Sequence, residues 1–281
     1  MLRKIDVSII KNKVKELCLA ANVVLPKDVE QSICRVCSQE KSELGKFTLK
    51  ILKENIDIAR DNNLPLCQDT GMVIVFLELG QEVALVGGDV NDAVNMGVKE
   101  AYSEGFFRKS IVSDPIKREN TKDNTPAILY TDIVFGNKIK ITVMPKGFGS
   151  ENMGRVFMLK PSDGKEGIKN AVLRAVKEAG ANPCPPIILG VGIGGTMDKA
   201  SVLSKKALLR EVGKHNNLEH ISVLEKEFLD AINDLDIGPA GFGGNVTALA
   251  VNIEIFPTHI AGLPVAISFS CHSARHAEAV L

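Results

Sequence analysis

The hydrophobic period of the chain first changes after residue 63, and that change governs what it can fold into. Between residues 6 and 22, Ile10, Val14, Leu17, Cys18 and Ala21 recur at helical spacing; between 28 and 40, Val29, Ile33, Val36 and Cys37 do the same. A third helical segment over 46–62 runs into "DNNLP", where polar turn-formers and a proline stop it. From "MVIVFLEL" (72–79) onward the apolar residues come in strand-like runs. A helical opening followed by strands interleaved with helices predicts a mixed α/β fold, with mixed sheets and surrounding helices.

The later pattern fills in that outline. A helix is expected near 90–107, then strands at "AILYTDIVF" and "KIKITVMP" joined at Gly136-Asn137, a pair suited to a tight hairpin. Further helices are expected over 163–180, 197–214 and 219–235. The chain closes with a glycine-rich loop, two strands and a short tail. No internal repeat, low-complexity linker or clear boundary interrupts it. The expectation is one domain over 1–281, with 1–63 as a helical N-terminal segment and 64–281 as the α/β part.

Composition excludes several classes of function. Lys plus Arg and Asp plus Glu both total 34, so no net field draws the chain to nucleic acid or anionic lipid. There is no Trp and aromatics are 5%, which leaves base stacking without support. No apolar run reaches the roughly 18 to 20 residues needed to span a bilayer, and charges interrupt the opening "MLRKIDVSIIKNK" too often for a signal peptide. A cytoplasmic protein with no membrane or nucleic-acid partner is expected.

Six cysteines are scattered along the chain, which points to thiols or metal ligands and away from a disulfide scaffold. Cys67 in "LPLCQDTG", Cys184 in "NPCPP" and Cys271 in "SFSCHS" each fall at a strand or loop edge. Isolated thiols fit a structural zinc site poorly, since such sites draw ligands in close pairs. A [4Fe–4S] cluster normally takes four cysteines; with three, one iron is open to a substrate oxygen and acts as a Lewis acid. Each cysteine alone also reads as a small buried hydrophobe. The Cys34–Cys37 pair, three apart on the second amphipathic segment, is expected to pack in the core, as is Cys18.

"LGVGIGGTMDKA" reads as an apolar strand, a glycine-rich turn and a helix, either a tight turn or an anion cradle. Its spacing matches neither the P-loop nor the dinucleotide fingerprint. "KGFGSEN" (146–152) is a second glycine loop in which Lys146, Ser150 and Asn152 suit a carboxylate. His259 falls in the turn between the last two strands; His272 and His276, flanking Arg275, read as solvated surface; Arg108 is expected to close a helix, where the dipole favours a cation.

Taken together, "LPLCQDTGM", "KGFGSEN", "AGANPCPP", "GVGIGGTMDKA", "LDIGPAGFGGNVTALAVNIE" and "THIAGLPVAISFSCHSAR" resemble the iron–sulfur (class I) fumarate hydratases and L-tartrate dehydratases, specifically the alpha subunit of the two-chain form. The resemblance runs from about residue 45 to the end, in the family's order. It implies that Cys67, Cys184 and Cys271 hold a [4Fe–4S] cluster whose fourth iron binds a C4 dicarboxylate. It further implies that Gln68 contacts a carboxylate, that Asp69 is the acid/base group at the hydroxyl, and that Arg108 binds the distal carboxylate. His259 supports the substrate or Asp69. Phe148 departs from the family's run of glycines, leaving Gly149 and Ser150 as substrate contacts.

On that resemblance the expected activity is reversible hydration of fumarate to L-malate, with L-tartrate dehydration to oxaloacetate as the alternative. The carbon base and further carboxylate ligands come from a beta subunit in an expected α2β2 assembly, so the alpha chain alone is expected to be inactive. A non-catalytic iron–sulfur sensor needs the three cysteines but not Gln68, Asp69 and Arg108. A nucleotide-binding module needs only the "GVGIGG" turn.

Overall fold

A computed structural model describes residues 2–281. In chain order the elements are β1 (Arg3–Asp6), α1 (Val7–Val23), α2 (Lys27–Val36), α3 (Glu43–Asn62), β2 (Met72–Gly80), β3 (Val83–Val86) and α4 (Val90–Glu104). They continue with β4 (Ile128–Val134), β5 (Ile139–Lys146), the single turn α5 (Phe148–Glu151), β6 (Arg155–Leu159), α6 (Gly164–Ala179) and β7 (Ile187–Gly194). The last are α7 (Met197–Ala207), α8 (Glu219–Asn233), β8 (Ala248–Phe256), β9 (Leu263–Ser270) and β10 (Ala277–Val280). The fold is mixed α/β, as the change of period predicts.

Two compact units divide these elements. The first comprises 1–26, 57–148 and 275–281; the second comprises 27–56 and 149–274.

In the first unit, a four-stranded sheet runs in the order β10-β5-β2-β4. Its central strands are the near-continuous apolar β2 and β5, and α1 and α4 cover them with Ile10, Val14, Val94, Val98 and Tyr102. Asp6 caps α1 by accepting the Ser8 N–H, and Asp89 caps α4 by accepting those of Asn91 and Asp92. Parallel β1 and β3 form a separate ribbon.

The sequence-predicted hairpin between β4 and β5 does not form. β2 lies between them, parallel to β4 and antiparallel to β5. β2 is apolar over most of its length and needs partners on both edges, whereas β4 is half-exposed and serves as an edge.

In the second unit the sheet order is β6-β9-β7-β8, with β7 parallel to β8 and antiparallel to β9. Its core joins Leu189 and Val191 of β7 with Val172 and Val176 of α6 and with Phe228 and Ile232 of α8. The glycines of "GVGIGG", expected in a turn, lie mostly inside fully buried β7. A Cβ at Gly190 would stand 2.0 Å from the Ser204 carbonyl oxygen, and one at Gly192 2.0 Å from that of Ala200. These glycines let α7 lie directly on the strand.

Cys18 is fully buried, and burial raises its thiol pKa. The Cys34–Cys37 pair is not in the core: α2 buries Val29, Ser32 and Ile33, which leaves Cys34 exposed and Cys37 half-buried just past the helix. No helix among the described residues is long and apolar enough to cross a membrane.

Candidate active site

In the first unit, strand register gathers the motif residues at one edge. Met72 at the start of β2 pairs with Lys146 at the end of β5, so the turn carrying Cys67, Gln68, Asp69 and Thr70 lies beside the chain leaving β5. Asp69 spans the two: its Oδ2 accepts the Phe148 N–H at 2.7 Å and its Oδ1 accepts the Gly71 N–H at 3.0 Å. Gln68 is exposed beside it.

Three side chains hold the three successive carbonyls of this turn. Arg275 Nη2 donates to the Asp69 oxygen, the Tyr102 hydroxyl to that of Thr70 at 2.5 Å, and Asn124 Nδ2 to that of Gly71 at 3.1 Å. All three side chains are buried. Burial raises the Tyr102 phenol pKa well above its usual value and keeps it a donor.

Arg108 is tied to the same turn. The Thr70 hydroxyl donates to the Arg108 carbonyl at 2.8 Å, and Asn124 Oδ1 accepts the Ser110 N–H at 2.8 Å. Arg108 does not close a helix as expected: α4 ends at Glu104 with Gly105 as its cap, and Arg108 is exposed in the loop beyond. Its position comes from Thr70 and Asn124 rather than from a helix dipole. Lys146 is buried, with its ammonium donating to the Gly147 carbonyl at 3.2 Å.

In the second unit, register brings two of the three cysteines to one end of the sheet. Ile188 pairs with Ser270 in the antiparallel β7–β9 ladder, placing Cys184, just before β7, near Cys271, just after β9. His272 seals that end: its backbone N–H donates to the Cys184 carbonyl at 3.3 Å and its Nδ1 lies 3.1 Å from the same oxygen. Cys184 has φ +54°, a left-handed conformation that costs about 1–3 kcal/mol in a non-glycine residue and concentrates at functional sites.

All six cysteines are free thiols. Free thiols on loop edges, two of them neighbours, fit the ligand chemistry of an iron–sulfur cluster. Among the described residues no group of three or more His, Cys, Asp or Glu is placed to hold a metal ion. Cys67 belongs to the first unit, and Cys184 and Cys271 to the second.

The remaining sequence-predicted residues also fall in the second unit. Gly149 is exposed and Ser150 buried in α5. His259 is exposed, its Nδ1 accepting the Ala261 N–H at 3.1 Å. It lies between β8 and β9, at the opposite end of the sheet from Cys184 and Cys271, with the eight residues of β9 intervening.

Sequence reasoning missed Tyr102, Asn124 and Arg275 and misread His272 and His276. His272 and His276 are half-buried rather than solvated surface, and Arg275 between them is 4% exposed. Register explains how Arg275 comes to the site. Ala277 pairs with Val143, which carries the preceding residues toward the Asp69 end of β5.

Fold and motifs together define a hydro-lyase, and the chain belongs to the fumarate hydratase family: the family model described as Fumarate hydratase (Fumerase) matches residues 11–280. The particular relatives are alpha subunits. One, from Methanocaldococcus jannaschii, provisionally carries the name L(+)-tartrate dehydratase subunit alpha and is 46% identical over 274 residues, 95% of this chain and 96% of the relative. The L(+)-tartrate dehydratase subunit alpha of Escherichia coli strain K12 is 32% identical over 254 residues, 89% and 84% of the two chains.

Proposed function

We propose that this chain is the alpha subunit of an iron–sulfur hydro-lyase that removes water from L-tartrate, completed by a beta subunit in an α2β2 assembly. The observation that carries the hydro-lyase reading is the Asp69 carboxylate, anchored by two backbone amides in a turn that also presents Gln68 and is tethered to Arg108. The names of the alpha-subunit relatives favour L-tartrate over fumarate. Hydration of fumarate to L-malate is the second reading, favoured by the family description.

In this reading Cys67, Cys184 and Cys271 supply three thiolates to a [4Fe–4S] cluster, which when bound supplies a Lewis-acidic iron. Gln68 donates to one substrate carboxylate, and Arg108 pairs with the other across its planar fork. Asp69 hands a proton to the departing hydroxyl or takes one from an arriving water. Its Oδ1 and Oδ2 each hold a backbone N–H, which orients the carboxylate for that transfer. Gly149 and Ser150 line the substrate, and His259 is given no proton-transfer step because it stands at the far end of its sheet from Cys184 and Cys271. The base at carbon comes from the beta subunit. A cytoplasmic location suits an oxygen-sensitive cluster.

The test is anaerobic co-expression with a beta-type chain, followed by turnover of L-tartrate, fumarate and L-malate. A higher kcat/KM on L-tartrate supports the first reading, and a higher value on fumarate or L-malate supports the second. No turnover of any of the three sinks both.

A further inference from the structure

Arg275 donates from Nη2 to the Asp69 carbonyl, yet among the described residues its Nε and Nη1 have no hydrogen-bond partner and no ion pair engages it. A guanidinium stays charged at any pH at which the protein folds, so a buried and unpaired one is costly to keep. A carbonyl needs only a neutral donor. The next two carbonyls of the same turn have neutral ones, Tyr102 and Asn124. The cation therefore does something at Asp69 that a neutral donor would not.

Gly147 shows what that is. A Cβ built there would stand 3.1 Å from Asp69 Oδ2 and 3.8 Å from Arg275 Nη2, so carboxylate and guanidinium border the same gap. Both belong to the first unit. Attraction between these opposite charges, with the guanidinium buried, favours the rotamer in which Asp69 reaches the Phe148 and Gly71 amides over one swung into solvent.

We infer that Arg275 is a positioning residue for Asp69: its hydrogen bond fixes the backbone of the turn, and its charge holds the side chain against the two amides. The consequence for turnover rests on the hydro-lyase reading given above; the consequence for the turn itself does not.

The experiment compares Arg275→Gln, Arg275→Lys and Tyr102→Phe with the wild-type enzyme, assembled and cluster-loaded. It reads amide hydrogen exchange at Gly71 and Phe148, and kcat and KM on the substrate the wild type turns over. In Arg275→Gln, exchange at both amides is expected to accelerate about tenfold or more. The same variant's kcat falls about 10²-fold with KM nearly unchanged. Arg275→Lys keeps the charge and recovers most of both. Tyr102→Phe, which removes a neutral clamp one residue on, leaves the Phe148 amide protected.

Wild-type exchange in Arg275→Gln overturns the proposal, as does a loss confined to KM or an Arg275→Lys variant no better than Arg275→Gln. If Arg275→Gln does not fold, Arg275→Lys decides: wild-type exchange and kcat support the inference, and faster exchange refutes it. A wild-type enzyme that turns over none of the C4 dicarboxylates removes the hydro-lyase reading, while the exchange comparison still decides what Arg275 does to the turn.

Discussion

Asp69 Oδ2 accepts the Phe148 N–H at 2.7 Å, joining the turn before β2 to the chain that leaves β5. With Oδ1 on the Gly71 N–H, both carboxylate oxygens are used as acceptors. Asparagine has one acceptor and would turn its NH2 toward a backbone donor. Asp69→Asn is therefore expected to lower stability by about 1–3 kcal/mol. In the assembled enzyme it is expected to lower kcat by about 10²- to 10⁴-fold. Denaturant titration and steady-state kinetics check the two effects separately.

Tyr102→Phe leaves the Thr70 carbonyl without its donor, at a cost of about 1–3 kcal/mol near neutral pH. Burial raises the phenol pKa above its ordinary 10.0, so its stabilising effect is fully present below pH 10.0 and is lost as pH rises toward the folded-state value. The stability difference between wild type and variant should thus narrow above pH 10. Urea unfolding of both proteins from pH 7 upward measures it, and a gap that widens would contradict the account.

Glu40 is buried, and its carboxylate collects four backbone amides: Lys41, Ser42 and Asn245 on Oε1, and Val246 on Oε2. All lie in the second unit, where Glu40 fastens the "GFGGN" loop. Glu40→Ala strands several of these donors and is expected to cost about 3 kcal/mol or more. A thermal melt of the variant gives the answer directly.

Gly192→Ala places a methyl 2.0 Å from the Ala200 carbonyl, which helix backbone cannot relieve without α7 lifting from β7. The expected result is a destabilised protein with no change in nucleotide binding, since the glycines serve packing. Detectable nucleotide binding by the wild type, lost in Gly192→Ala, would revive the anion-cradle reading.

Thiol labelling of the cluster-free chain should rank the cysteines. Cys18, fully buried with its pKa raised, is expected to resist iodoacetamide, while exposed Cys34 and Cys184 react. Mass spectrometry of the alkylated peptides reports the order.

The sequence by itself determined most of the elements and the hydro-lyase class. The helical faces of α1 and α2, the apolar runs of β2 and β7, and the motif set from Cys67 to Cys271 were legible because periodicity and residue type are local properties. Only the tertiary structure decided who meets whom. That β2 separates β4 from β5 follows from which strands have two faces to bury, a comparison between distant segments. That Arg275 and Phe148 reach Asp69, and that Cys184 lies beside Cys271 with His259 at the far end, follows from strand register. Register is set by pairings between residues as far apart as Lys140 and Val280, where no window of sequence carries the signal.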